Sequence, residues 1–260
     1  MGILNITPDS FFDGGKYFQL DSAIAQSKKM IDEGATIIDV GGESSRPFSK
    51  SISVQEEIKR VVPVIEALKS ETKITLSIDT SKYEVAKECL KAGATIINDI
   101  SALRSDDRMS SLVAENNVHV VLMHMKGSPQ NMQINPIYKN LIKEIKSFLK
   151  DRILFAKEKG ISSEKLIIDP GLGFGKSVKH NYVILNKLSE FLDLNCPILI
   201  GSSRKSFIGK TLGSNSNRLF GTAATIAISI LKGAKIFRVH DVKQTQEVIA
   251  ISEAITSAKE

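Results

Sequence analysis

The residues best suited to chemistry in this chain fall in short clusters: "IDPGLGFGKS" at 168–177, "SIDTS" at 77–81, "GSSRKSFIGK" at 201–210, "RVHDV" at 238–242 and "ESSRP" at 43–47. The first looks made for phosphate, yet it fails both nucleotide templates. A Walker A loop requires glycine five residues before Gly175, where Pro170 stands, and the dinucleotide pattern fails at Lys176. Its glycines need only allow a tight turn, so Asp169 is its informative residue. Asp79, Asp169 and Asn98 offer acceptors that would suit a donor-rich heterocycle, because a buried carboxylate is costly without N–H partners. Arg46, Arg238, His240 and Asn5 suit a multiply charged phosphate ester. Arg238 and His240 are two apart, so on a strand they face one side. Arg204 and Lys205, with Ser203 and Ser206, follow a further apolar run. Any one of these cations alone would read as a solvated loop residue; their convergence is what argues for a site.

Convergence requires elements that bring them together. Three stretches repeat: Gly34-Ala-Thr-Ile-Ile-Asp-Val40, Gly93-Ala-Thr-Ile-Ile-Asn-Asp99 and Gly233-Ala-Lys-Ile-Phe-Arg-Val239. Each is a small-residue turn into a short apolar run, preceded by an amphipathic stretch, which predicts parallel strands buried on both faces. Further runs at 2–6, 73–78, 119–123, 166–168 and 198–201 bring the strands to eight. Helices are expected near 21–33, 53–70, 81–92, 106–117, 138–159, 178–192, 216–232 and 242–258. Ser53 with Glu56 and Ser81 with Glu84 read as capping boxes opening two of them; with Ser81 as cap, Asp79 is left free for another role. Eight βα units without a linker predict a single-domain α/β (β/α)8 TIM barrel over 1–260, with an open doubly wound sheet as the alternative. The strand ends then hold Asn5, Asp39, Asp79, Asn98, His124, Asp169, Ser203 and Arg238 with His240. Asp39, Asn98 and Arg238 occupy the same slot of the repeat. In such barrels that rim carries the active site.

Other features bound the function. The chain has 260 residues, 42% hydrophobic and 25% charged, enough for one sizeable core. No apolar run approaches the roughly 20 residues that span a bilayer, and the first residues resemble neither a cleavable signal nor a transit peptide. The net charge of +6 is spread among scattered lysines, which argues against nucleic acid and suits an anionic small substrate. Cys89 and Cys196 are isolated, as expected of reduced core residues in a cytoplasmic protein. His119 and His180 read as surface or core residues, His124 as a group that orients a neighbour, and Met123 as core at a strand end where it could floor a flat ring. No cluster has zinc spacing, and no Gly-x-Ser-x-Gly elbow occurs.

Taken in order, "MGILNITPDSF", "GGESSRP", "SIDTS", "INDI", "LMHM", "DPGLGFGK", "GSSRKS" and "RVHDV" resemble the motifs of the dihydropteroate synthase family of folate biosynthesis, the targets of sulfonamides, over almost the whole chain. The resemblance implies a transferase that joins 6-hydroxymethyl-7,8-dihydropterin pyrophosphate to p-aminobenzoate and releases pyrophosphate. Carried over position by position, Asp79, Asn98, Met123, Asp169, Lys205 and Arg238 would bind the pterin, and Asp79, Asp169, Lys205 and Arg238 would be the catalytic set. Asn5, Ser45, Arg46, Arg238 and His240 would hold pyrophosphate, with Asn5 also a ligand of Mg2+. Thr7, Pro8, Asp9, Ser45, Arg46, Pro47, Phe174, Ser203 and Lys205 would surround p-aminobenzoate. The family also implies a homodimer, for which the apolar face of "TAATIAISIL" (222–231) is a candidate surface, with packing on the barrel as its alternative.

The chemistry expected is SN1-like. No activated nucleophile is evident, and pyrophosphate leaves readily once its charge is neutralised. One departure stands out: Phe48 follows Pro47 where family members commonly have glycine, which removes freedom at φ > 0. Two rival readings differ in signature. A pterin barrel that passes a methyl group from methyltetrahydrofolate to a corrinoid protein needs neither the pyrophosphate cations nor "SRKS". A non-catalytic paralogue would have lost the first loop, Arg46 or Lys205.

Overall fold

The structure is a computed structural model in which residues 1–6, 16–44, 51–213 and 216–258 are described, with backbone alone for 16–19. The predicted apolar runs form eight parallel strands: β1 (Gly2–Asn5), β2 (Ile37–Gly41), β3 (Thr75–Asp79), β4 (Ile96–Asp99), β5 (His119–Met123), β6 (Leu166–Asp169), β7 (Leu199–Ile200) and β8 (Ile236–Phe237). β1 to β6 pair in sequence order, and β7 pairs with β8. Single bridges join the two sets, Ile168 to Ile198 on one side and Gly2 to Val239 on the other. At the second seam Ile3 donates its N–H to Val239 and Val239 donates to Met1, both at 2.9 Å. The strands therefore follow one another around a ring, as a barrel requires.

Alternation along the strands sorts their side chains. Ile96, Val121, Ile167 and Leu199 form a separate cluster with Met1, Ile37 and Ile236, the packed interior of the barrel. Their neighbours Ile38, Ile97, Val120, Leu122 and Ile168 face outward into the main core beneath the helices. Two residues beyond each inward apolar position, the same side of the strand emerges at the carboxyl rim. There lie Asp39, Asn98, Met123, Asp169, Gly201 and Arg238, joined by Asp79 of β3 and Asn5 of β1. This corrects two of the expected strand ends. On β5 the inward position belongs to Met123 rather than His124, and just past β7 Gly201 lies beside Arg238 while Ser203 lies in the following loop.

The outer helices are α1 (Lys16–Asp32), α2 (Val54–Glu71), α3 (Tyr83–Ala92), α4 (Arg108–Asn116), α5 (Leu141–Glu158), α6 (Val178–Asn186), α7 (Ser206–Leu212), α8 (Leu219–Leu231) and α9 (Val242–Ser257). The glycine opening each repeat ends a helix with positive φ: 97° at Gly34, 118° at Gly93 and 93° at Gly233, where a side chain would be strained. Ser53 caps α2 by accepting from Glu56 N at 3.2 Å, while the Glu56 carboxylate pairs with Arg60 at 2.9 Å. The second expected capping box does not form. Lys82, which has no acceptor to offer, occupies the N-cap of α3 with no side-chain cap, and its ammonium binds Glu43 and Glu57 at 2.8 and 2.6 Å. The helix expected over 216–232 is preceded by the separate short α7, and the one expected over 178–192 ends at Asn186 and resumes as a 3-10 turn, Leu188–Leu194.

Candidate active site

The three residues that share a slot in the sequence repeat meet at the rim. Arg238 Nε donates to Asp39 Oδ2 at 2.5 Å, and Asn98 Nδ2 donates to the same oxygen at 3.0 Å. Arg238 Nη2 reaches Asp79 Oδ2 at 2.7 Å. One guanidinium thus ties β8 to β2 and β3 across the barrel mouth, and Asp39 is wholly buried beneath it. Burial opposes the charge on Arg238, but Asp39 and Asp79 outweigh it and hold the group charged. Asp79 behaves differently. Burial pushes its carboxyl up to about 7 even though Arg238 works against the shift, so it ionises in the physiological range.

A second group forms around the loop after β6. Asp169 Oδ1 accepts from Gly171 N at 2.6 Å, and burial raises the carboxyl while Lys205 opposes the rise. Lys205 donates to the Leu172 carbonyl and lies 4.6 Å from the centroid of the Phe174 ring. Burial brings its ammonium down to about 8, with Asp169 resisting. Phe174 packs in turn on Met123, Met125 and Met132, an apolar floor beside the carboxylates. Gly201 keeps space open here, since a Cβ at that position would lie 3.9 Å from both Lys205 Nζ and Arg238 Cβ.

The loop's own lysine answers the phosphate question raised by "GFGKS". Lys176 is 3% exposed and turns inward, 3.0 Å from His124 Nδ1 and 2.9 Å from the Phe174 carbonyl it donates to. Burial drives its pKa well below the ordinary lysine range. It braces the loop from behind, and His124 is the neighbour it orients against. The glycines serve conformation: Gly171 has φ +71°, and a Cβ there would sit 1.9 Å from the His124 carbonyl oxygen.

After β7 and β8, Ser203 Oγ lies 3.0 Å from His240 Nδ1 and accepts from His240 N at 3.2 Å. Ser203 therefore steadies the His240 ring. Arg204 separates from its sequence neighbour Lys205: it faces outward with its Nε 2.9 Å from Asp241 Oδ2. Asn5 Oδ1 and Asp79 Oδ2 flank one spot, each 3.7 Å from where a Cβ on Gly41 would stand. His119 lies at the start of β5, away from the rim, and His180 completes a capping box with Ser177 at the head of α6, a partner signalled by its position three residues after a serine. Thr7, Pro8 and Asp9 of the first loop, and Ser45, Arg46, Pro47 and Phe48 of the second, lie outside the described residues. Both cysteines are free and buried, and no helix among the described residues is long and apolar enough to cross a membrane.

Asp39 is the residue that sequence reasoning located without giving it a role. The signal was present in its slot, shared with Asn98 and Arg238.

Hard oxygen donors are sparse here: among the described residues no three His, Cys, Asp or Glu side chains gather as a metal cluster. Asn5 offers a single amide oxygen, which fits Mg2+ as an ion that keeps most of its waters and takes phosphate oxygens as ligands.

Known proteins share this fold and much of this sequence. Residues 1–240 match the family described as pterin binding enzyme. Dihydropteroate synthase of Escherichia coli strain K12 is 48% identical over 261 residues, covering 100% of this chain and 92% of that one. The Yersinia pestis dihydropteroate synthase, crystallised with a sulfonamide drug complex, superposes with a TM-score of 0.93 at 46% identity, over 99% of this chain and 94% of that one. The Xanthomonas albilineans enzyme, solved with 4-aminobenzoic acid, gives 0.93 at 40% identity, over 99% and 93%. With a (β/α)8 barrel, a rim of carboxylates and cations, and full-length similarity of this degree, the chain belongs to the dihydropteroate synthase family of pterin-binding enzymes.

Proposed function

We propose that the barrel mouth joins 6-hydroxymethyl-7,8-dihydropterin pyrophosphate to p-aminobenzoate, giving 7,8-dihydropteroate and pyrophosphate. The observation that carries this reading is the juxtaposition of two buried carboxylates, Asp79 and Asp169, with the cations Arg238 and Lys205 over an apolar floor. The carboxylates and Asn98 accept from the pterin's amino and ring N–H groups, and Lys205 donates to its carbonyl side. Met123 packs beneath the ring. Arg238, with His240 steadied by Ser203, faces the diphosphate. Asn5 would hold Mg2+ together with the diphosphate oxygens. When bound, the ion supplies charge neutralisation to the leaving group.

The bond between the pterin methylene and the diphosphate oxygen breaks, and its electron pair leaves with pyrophosphate. The electron-rich ring stabilises the methylene cation, and Asp79 and Asp169 place negative charge beside it. The aniline nitrogen then gives its lone pair to the methylene and loses a proton. Phe174 and Lys205 line the slot for p-aminobenzoate, with Thr7, Pro8 and Asp9 of the first loop and Ser45, Arg46 and Pro47 of the second closing over it.

We further propose that the protein acts as a homodimer. Support comes from exposed apolar side chains on neighbouring helices: Phe220 (79% exposed), Ile228 and Leu231 on α8, and Ile251 and Ile255 on α9.

The test is to mix the purified protein with the pterin pyrophosphate and Mg2+, with and without p-aminobenzoate. Pyrophosphate release coupled to dihydropteroate formation is expected. Tight pterin binding without either product would overturn the catalytic reading.

A further inference from the structure

Asp39 touches no part of the substrates in the reading above, yet it is the most deeply buried polar side chain of the rim. Its Oδ2 is shared by Arg238 Nε and Asn98 Nδ2, while its Oδ1 is buried without a hydrogen-bond partner. A bare carboxylate oxygen is costly to bury, so packing alone does not account for an acid here. Arg238 divides its fork: Nε goes to Asp39, and Nη2 goes to Oδ2 of Asp79, the carboxylate assigned above to the pterin. A ring seated on Asp79 would therefore meet the guanidinium at that carboxylate.

We propose that Asp39 is a positioning residue that anchors Arg238 through Nε while its Nη2 exchanges partners, from Asp79 in the free enzyme to the diphosphate once a pterin ring occupies Asp79. The proposal rests on the function given above and assigns that site a working order. Releasing a buried guanidinium from one carboxylate leaves its charge uncompensated unless a second carboxylate remains, and Asp39 is that second carboxylate. A rigid fork held at Nε swings its outer edge about a fixed point. Asp39 also orients Asn98: because Nδ2 donates to Asp39, Oδ1 of the amide is the end presented to the ligand. Occupancy of the ring pocket and affinity for the diphosphate are thereby coupled through one residue.

The experiment is a double-mutant cycle of Asp39→Asn and Arg238→Met. It is read by calorimetric titration with two probes, the pterin pyrophosphate with Mg2+ and the unphosphorylated 6-hydroxymethyl pterin. Asp39→Asn is expected to weaken the pyrophosphate ester about tenfold or more. The alcohol loses less, so the ester's advantage shrinks. In the Arg238→Met background the same change shifts ester affinity less than about twofold, because its effect passes through Arg238. Equal weakening of both probes, or additive effects in the cycle, would show a structural brace and overturn the proposal. Should Asp39→Asn fail to fold, the wild-type protein decides the matter in a crystal structure with the pterin pyrophosphate bound. Nε retained on Asp39 with Nη2 moved from Asp79 to phosphate supports the exchange; Arg238 still on Asp79, or off Asp39, overturns it. Wild-type protein that forms no dihydropteroate would refute the function itself, whereas normal turnover with additive mutants refutes only the role of Asp39.

Discussion

The ionisation of Asp79 and Lys205 is expected to set the working pH range of the site. Burial lifts Asp79 to about 7 and lowers Lys205 to about 8. A carboxylate that accepts from the pterin must be ionised, and an ammonium facing the ring's carbonyl acts best charged. The profile of kcat/KM for the pterin pyrophosphate, which reports the free enzyme, is expected to be bell-shaped, rising through about 7 and falling through about 8. Asp79→Asn should abolish the acid limb and Lys205→Met the basic one; limbs that persist in these variants would assign the titration elsewhere. Asp79→Asn should also lower kcat far more than it raises the KM for p-aminobenzoate, and wild-type turnover in that variant would sink the electrostatic role. Stability should move the opposite way. A carboxyl whose folded pKa lies above its unfolded value of 3.8 binds more protons when folded between the two, so its contribution declines as pH rises from about 4 to 7. Asp79→Asn is therefore expected to unfold at higher temperature than wild type at pH 8, with the gap closing towards pH 4. A gap independent of pH would contradict the sign.

At the level of elements, the loop after β2 is held at both ends by one partly buried network. Glu43 Oε1 accepts from Ile52 N at 3.0 Å, closing the base of the segment that carries Arg46. Lys82 Nζ then binds Glu43, the Ile52 carbonyl and Glu57, at 2.8, 2.9 and 2.6 Å. Glu57 is fully buried and its Oε1 has no hydrogen-bond partner, so its carboxylate depends on that lysine. Lys82→Met should cost about 3–5 kcal/mol, the usual penalty for leaving one charge of a buried pair, measured by urea unfolding. Adding Glu57→Gln should recover much of it; a single-mutant cost under about 1 kcal/mol would show the network to be incidental. The loop after β6 rests on conformation instead. Gly171→Ala would drive a methyl into the His124 carbonyl at a positive φ, so a loss of pterin affinity is expected in titrations, with Lys205 and Asp169 displaced together.

Across the whole molecule, charge and exposed apolar surface are separated by end and by face. The carboxyl rim concentrates charge, while the outer surface of α8 and α9 exposes Phe220, Ile228, Leu231, Ile251 and Ile255. Exposed apolar groups gathered on adjoining helices usually mark an interface. Ile228→Glu combined with Ile251→Glu should convert a dimer to a monomer in sedimentation measurements at micromolar protein. An unchanged mass, or a wild-type monomer, would remove that face from consideration.

The repeat at 34–40, 93–99 and 233–239 determined much of this from sequence alone. Its glycine terminates a helix, its apolar pair enters a strand, and its sixth residue reaches the rim, because strand alternation and helix termination are local rules that spacing records. The ordered motifs likewise identified the family, and Asp79, Asn98, Asp169, Lys205 and Arg238 stand at one mouth as expected. Partnership was a different matter. That Asn98 and Arg238 both bond to Asp39, that Lys176 turns inward to His124, that Arg204 leaves Lys205 for Asp241, and that Lys82 pairs with Glu57 are contacts between residues tens of positions or more apart in the chain. Only closure of the barrel brings such groups within a few ångströms, and only there do burial and charge decide which of them pair.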